Sequence, residues 1–136
     1  MSPAAAAPRK AAPPQSTPKP SREVQIVVLD KFGDAAQGAQ VRFSASGAPL
    51  GVAVVGKDGA RIRLPNRIAM LDISVEYGEQ QQNTQLSPDQ QEYICRFDVS
   101  LLQKSYGPPI ARCPDGTTGQ PCVDCKIGDD VIRICA

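Results

Sequence analysis

The chain has 136 residues, a formal net charge of +1 and no histidine. This length is enough for one ordinary domain. The lack of histidine excludes Ser-His-Asp and Cys-His nucleophile pairs, HExxH zinc sites and histidine general bases. The nearly balanced charge argues against a dedicated nucleic-acid-binding protein, which would concentrate positive charge on one face. We therefore expect a protein that is not an enzyme and has no nucleic-acid partner.

Residues 1–22 are predicted to be a disordered, basic arm or linker. Six of the 13 prolines lie in the first twenty residues, and no large aliphatic residue follows Met1 there. The arm carries four basic residues and no acidic one. Such a segment cannot bury enough apolar surface to offset the entropy lost on ordering. A chain that starts natively at Met1 would be cytosolic, whereas a domain cut from a longer chain would leave the compartment open.

Alternating apolar residues predict a series of short strands from residue 23 to residue 99. The predicted strands cover residues 23–30, 40–45, 50–55, 60–64, 68–77 and 93–99. Asp58-Gly59 is a hairpin signal between two of them. The polar stretch Gln80–Leu86 predicts at most an edge strand, and Cys95 is expected to face the core of the last strand as a small hydrophobic residue.

These turns and strands follow one another in a recognisable order. The order is a strand ending at Asp30 before Gly33, then Gly38-Ala39-x-Val41, then Asp58-Gly59-x-x-Ile62, and then a strand carrying residues 71–75. This pattern over residues 23–99 resembles the carboxypeptidase regulatory-like domain, a transthyretin-like or immunoglobulin-like β-sandwich. The resemblance implies a non-catalytic module that acts as a spacer, a fold stabiliser or a binding surface, and it implies no catalytic residue.

The fold expected from these patterns is all-β. A small antiparallel β-sandwich of six or seven strands would occupy residues 23–100, followed by a linker at 101–112. Residues 113–136 would form a separate Cys-rich tail, in which a β-hairpin is stapled by its cysteines.

Four of the five cysteines fall in this tail, with the spacing Cys-x8-Cys-x2-Cys-x9-Cys. In the first interpretation, one structural Zn²⁺ is bound by Cys113, Cys122, Cys125 and Cys135. In the second, the same cysteines form two disulfides, which would require an oxidising compartment. In the third, Cys122 and Cys125 are a redox pair, although this motif normally opens a helix beside a parallel sheet.

Two charged groups are candidates for surface roles. Arg61, Arg63 and Arg67 are predicted to form a basic strip on one hairpin, which would either meet an acidic partner or protect a strand from aggregation. Asp129 and Asp130 are the adjacent acidic pair of the tail, and their turn-like surroundings predict a solvated turn.

The function expected from these features is that of a non-catalytic adaptor or accessory module. Its sandwich and tail would present a docking surface to a protein partner or a neighbouring domain. The alternative is a structural or assembly protein, a homo-oligomer or surface layer cross-linked through its cysteines. No apolar run approaches the roughly 18 residues needed to span a membrane, so no membrane partner is expected. The expected location is cytoplasmic, or extracellular if the cysteines are disulfide-bonded.

Overall fold

The computed structural model describes residues 21–101 and 109–136, and these residues form strands and turns without a helix. Residues 1–20 of the predicted arm and 102–108 of the predicted linker lie outside the described residues. The strands are β1 (Ser21–Leu29), β2 (Gln40–Ala45), β3 (Ala48–Val54), β4 (Ala60–Pro65), β5 (Leu71–Tyr77), β6 (Gln80–Leu86), β7 (Glu92–Arg96), β8 (Ile110–Arg112), β9 (Thr118–Gly119), β10 (Cys122–Ile127) and β11 (Asp130–Cys135).

The strands form two sheets. One sheet has five strands in the order β10-β11-β4-β1-β7, and the other has six in the order β6-β5-β2-β3-β8-β9. All pairs are antiparallel except β1 with β7, which is parallel. The predicted all-β sandwich is confirmed, and seven of its strands fall in the region for which six or seven were expected.

One apolar core lies between the sheets and follows from the alternation seen in the sequence. Val24, Ile26 and Val28 of β1 are buried, as are Val41 and Phe43 of β2. Inward residues from both sheets belong to one continuous cluster. Since strand residues at i and i+2 share a face, each alternating segment contributes one row of apolar side chains to this cluster.

The tail is part of the sandwich. β11 pairs with β4 and lies between it and β10, while β8 and β9 extend the other sheet from β3. Ile132 and Ile134 of β11 are fully buried in the common core. A Cβ atom on Gly51 of β3 would lie 2.8 Å from the backbone oxygen of Arg112 and would also meet the end of the Ile134 side chain, so a glycine is needed where β8 and β11 lie against β3. The predicted Cys-stapled hairpin is confirmed as β10–β11, and it completes the five-stranded sheet.

One segment forms a strand that the sequence did not indicate, and another forms the edge strand that the sequence allowed. Ile110–Arg112, placed in the linker by the sequence, pairs with β3 as β8. Gln80–Leu86, expected to be at most an edge strand, pairs with β5 along its whole length and forms one edge of its sheet. Both strands are held by backbone hydrogen bonds to their neighbours, β8 between β3 and β9 and β6 to β5 at the sheet edge.

Candidate functional site

The four tail cysteines form two disulfides. Cys113 is bonded to Cys125, with Cα atoms 5.4 Å apart, and Cys122 is bonded to Cys135, with Cα atoms 4.0 Å apart. Zinc binds cysteine in its thiolate form. In this oxidised form the four sulfurs are bonded to one another in pairs and are not thiolates. Zinc binding by Cys113, Cys122, Cys125 and Cys135 thus stays a prediction for the reduced chain.

The first disulfide, Cys113–Cys125, is inside the sandwich. Cys113 follows β8 of the six-stranded sheet, and Cys125 lies on β10 of the five-stranded sheet. Their exposed fractions are 4% and 1%. This bond therefore joins the two sheets along the side where β9 and β10 are the edge strands.

The second disulfide, Cys122–Cys135, lies on the outer surface of the five-stranded sheet. Its cysteines are directly opposed across the β10–β11 hairpin. Cys135 shares a strand face with the exposed Arg133, whereas Ile132 and Ile134 point into the core. Cys122 is half-buried and Cys135 is 8% exposed, so Cys122 is the more accessible residue of this disulfide.

Cys122 and Cys125 are not partners, although their spacing matches that of a redox pair. On a strand, residues three positions apart point to opposite faces. Because residues 122–127 form a strand, Cys122 points outward and Cys125 inward. The alternation of this segment, Cys-Val-Asp-Cys-Lys-Ile, is the signal that would have separated the two cysteines.

The fifth cysteine, Cys95, is unpaired and 1% exposed. Its thiol lies 3.4 Å from the Oε1 atom of Gln82 on β6, close enough for a sulfur hydrogen bond. Burial raises the pKa of the Cys95 thiol, and a hydrogen bond with Tyr93 offsets only part of that effect. The prediction that Cys95 faces the core is confirmed, and its environment favours an unreactive thiol.

Arg61, Arg63 and Arg133 form a positively charged surface beside the outer disulfide, which we call the arginine face. Arg63 of β4 is directly opposed to Arg133 of β11, and Arg61 is directly opposed to Cys135. These three arginines line a pocket of ≈ 260 Å³ together with Glu23, Cys122 and Cys135. The sandwich and the tail therefore contribute to one surface.

The charges of the arginine face are only loosely compensated. Glu23 lies 3.8 Å from the Arg63 guanidinium, and Asp124 lies 3.7 Å from that of Arg133. Both distances exceed the range of a normal hydrogen bond. Among residues 21–101 and 109–136, Arg61 has no ion-pair partner. Exposed pairs of this kind contribute little to stability, so the guanidinium groups are available to another anion.

Arg67 is exposed, as the sequence predicts, but it does not line the pocket of the arginine face. Its guanidinium forms a salt bridge with Asp130, whose side chain is 4% exposed. The first residue of β11 faces inward with Ile132 and Ile134, which is why Asp130 is buried. The interpretation of both aspartates as solvated is correct for Asp129 and wrong for Asp130.

A second pocket, of ≈ 580 Å³, lies on the outer surface of the six-stranded sheet. It is bordered by polar side chains of three neighbouring strands, among them Arg42, Asp72 and Asn83. The β2–β3 register shifts between Phe43 and Ser44, beside this pocket. A register shift of this kind bends a strand and increases the local twist of the sheet. Gln85 donates a hydrogen bond to Asp72 across the pocket, which already satisfies part of its polar lining.

The described residues contain no group of three or more acidic, cysteine or histidine side chains that could hold a metal ion. Within the same residues there is no helix suited to crossing a membrane. Comparison with protein-family models, with curated proteins and with solved structures finds no match. The resemblance to carboxypeptidase regulatory-like domains therefore stays a prediction.

Proposed function

We propose that this protein is a non-catalytic binding module that docks an acidic protein surface on its arginine face. The observation that carries the proposal is the direct opposition of Arg63 and Arg133 on neighbouring strands. Like charges in directly opposed positions destabilise a sheet. A carboxylate from a partner would relieve this repulsion, and it would bind more tightly where the guanidinium groups are already held side by side.

The charge of the adjoining chain supports an acidic partner. Residues 1–22, the last two of which begin β1, carry four basic residues and no acidic one. β1 pairs with β4, which carries Arg61 and Arg63. Arginine is also enriched at the energetic centres of protein interfaces, since its planar group can bind a carboxylate through two hydrogen bonds. Protein binding is favoured over catalysis because the sequence has no histidine to serve as a general base.

The two disulfides are typical of an oxidising compartment, where such bonds form and persist. We therefore place the proposed binding in an extracellular setting, which is the location expected from the sequence if the cysteines are disulfide-bonded. A neighbouring domain of a longer chain would serve as the acidic partner equally well, because the recognition depends only on its carboxylates.

The test is the binding of a short fluorescent peptide of alternating Glu and Ser, followed by anisotropy at low ionic strength and at about 0.15 M salt. The Arg63→Glu variant is expected to weaken binding about tenfold, because it replaces an attraction by a repulsion. Arg42→Glu is the matched control. The Arg42 side chain is 53% exposed and its guanidinium lies 3.7 Å from the Glu76 carboxylate. The Arg63 side chain is similarly exposed, at 58%, and lies 3.8 Å from Glu23. Arg42 differs in that it lies on the other sheet.

Equal losses in Arg63→Glu and Arg42→Glu would contradict the proposal, since they would trace the binding to overall charge. Tighter binding of a single-stranded oligonucleotide of matched charge would contradict it as well, because the partner would then be a nucleic acid. Arg61→Glu provides a second variant, since Arg61 is exposed and its loss removes no ion pair of the described residues.

The assembly alternative receives less support from these contacts. All four tail cysteines are bonded within the chain, and Cys95 is 1% exposed. Cross-linking between chains would first require an intrachain disulfide to open. Light scattering after size-exclusion chromatography, with and without reductant, separates the two functions, because a monomer at all concentrations is incompatible with assembly.

A further inference from the structure

The two disulfides differ in their accessibility to a reagent in solution. Cys113 and Cys125 are 4% and 1% exposed and face the core between the sheets. Cys122 and Cys135 line the ≈ 260 Å³ pocket on the outer surface, where Cys122 is half-buried and Cys135 is 8% exposed, so that Cys122 is the accessible member of the pair. Because thiol–disulfide exchange begins with in-line attack on a sulfur atom, accessibility favours reaction at the outer bond.

The charges around the outer disulfide favour the same reaction. Arg61 is directly opposed to Cys135, and Arg133 precedes Cys135 by two residues on the same strand face. Nearby guanidinium groups stabilise a cysteine in its thiolate form, and a better-stabilised thiolate leaves faster. The same cations raise the local concentration of an anionic reagent.

We propose that Cys122–Cys135 is a site of thiol–disulfide exchange with small thiols that carry a carboxylate. The thiolate of the small molecule attacks the Sγ atom of Cys122, and the Cys122–Cys135 bond breaks. The electron pair of that bond leaves on Cys135, which becomes a thiolate beside Arg61. The products are a mixed disulfide at Cys122 and one cysteine thiolate, so the small thiol is the reductant and no other co-reactant is needed.

The sheet can accommodate this reaction without unfolding. β10 and β11 are paired at six positions, from Cys122–Cys135 to Ile127–Asp130, and β11 is also paired with β4. The inner disulfide continues to join the sheets after the outer one opens. The exchange involves no partner protein, and it therefore stands independently of the docking proposal.

The experiment compares three thiols with the same two-carbon spacer: 3-mercaptopropionate, 2-mercaptoethanol and 2-mercaptoethylamine. The folded protein is incubated with each thiol, quenched in acid, alkylated and mapped by peptide mass spectrometry. Rates are expressed per thiolate and divided by the rate of the same thiol with a small uncharged disulfide, so that differences in thiol acidity and in intrinsic nucleophilicity cancel. We expect the adduct at Cys122, and we expect the anionic thiol to react about tenfold faster than the cationic one.

The arginines are tested with the Arg61→Gln and Arg133→Gln variants, and Arg42→Gln on the other sheet is the control. The preference for the anionic thiol is expected to fall to about twofold in the first two variants and to persist in the control. High salt should reduce the preference in the unaltered protein, a measurement that requires no substitution. Equal opening of both disulfides, an adduct on a cysteine other than Cys122, or a preference unaffected by salt and by both variants would overturn the proposal.

Discussion

Cys113 and Cys125 are bonded across the gap between the two sheets, and both side chains are almost completely buried. Each disulfide of the tail closes a loop of similar length, with sequence separations of 12 and 13. Each disulfide consequently lowers the conformational entropy of the unfolded chain by about the same amount. What distinguishes them is their position in the folded protein, since one lies in the core and the other on the surface.

The two disulfides should contribute unequally to stability. Cys122→Ser/Cys135→Ser is expected to lower the free energy of unfolding by about 2–4 kcal/mol, the usual effect of losing such a cross-link. Cys113→Ala/Cys125→Ala should lower it by about 1 kcal/mol more, because two buried sulfur atoms are removed from the core. Urea denaturation followed by circular dichroism measures both values. A larger loss from the surface pair would contradict this order.

The oxidation state itself can be measured by intact mass and thiol counting on protein purified without reductant. We expect a mass lower than that of the reduced chain by the hydrogens of two disulfides, and no bound zinc. The single remaining thiol, Cys95, should react with an alkylating reagent only after denaturation, because it is 1% exposed. One zinc per chain, with thiols that react only after chelation, would instead support the four-thiolate site.

The Arg67–Asp130 salt bridge should matter more than an exposed ion pair. Arg67→Met is expected to lower the free energy of unfolding by about 1–2 kcal/mol, because it removes a cation from beside a buried carboxylate. The estimate is below that for a fully buried pair because the Arg67 side chain is 67% exposed. Arg63→Met is the control, and it should cost less than about 0.5 kcal/mol, since Glu23 is exposed. Equal effects in chemical denaturation would show that the burial of Asp130 is unimportant.

Asp30 should give the fold a dependence on acidic pH. Burial by itself would raise the pKa of Asp30, but hydrogen bonds from the backbone amides of Asp34 and Phe32 and from the Ser100 hydroxyl outweigh it. The pKa therefore lies below its ordinary value of 3.8 in the folded protein. A carboxylate with a lowered pKa stabilises the fold above its unfolded pKa, and this contribution is lost as the pH falls through the folded pKa.

Asp30→Asn is therefore expected to lower the melting temperature at neutral pH, and the difference from the unaltered protein should shrink below about pH 4. The exposed Asp34 lies in the same turn, and Asp34→Asn is the control for removing one carboxylate from this turn. Thermal unfolding across this pH range measures both variants. A difference that stays constant with pH would show that the charge of Asp30 is not involved.

Gly59 should be irreplaceable at the hairpin that leads into β4. It has φ of +77°, and a Cβ atom there would overlap the carbonyl oxygen of Ile26. Gly59→Ala is expected to lower the free energy of unfolding by more than about 3 kcal/mol, combining the cost of a left-handed backbone with a steric clash. Gly116→Ala is matched to it, because Gly116 has φ of +98° but open space around the added atom. That variant should cost only about 1–2 kcal/mol in the same denaturation experiment.

The strands and their buried faces could be predicted from the sequence because alternation is a local property. Gln40–Ala45 is the clearest example, with predicted bounds that match β2. Alternation shows which face of a strand is buried but does not identify the neighbouring strand. The pairing of β11 with β4 joins parts of the chain that are far apart in sequence, and no local pattern marks it.

The candidate site could be predicted only in part for the same reason. The cysteine cluster and the outward-facing Arg61 and Arg63 were apparent from spacing and alternation, and the two arginines line the observed pocket with two of the four clustered cysteines. The contribution of Arg133 depends on the position of β11, which only the fold reveals. The different role of Arg67 depends on the burial of Asp130, a residue whose turn-like neighbours had suggested exposure to solvent.

The position of β11 beside β4 also affects the order of events during synthesis. Until residues 130–135 have left the ribosome, β4 lacks one of its two neighbours, and the five-stranded sheet stays incomplete. Contacts between distant parts of a chain form slowly, and incomplete sheets expose strand edges that favour aggregation. We therefore expect nascent chains that stop before Asp130 to be held by chaperones, and the native fold to appear only after translation has passed the last cysteine.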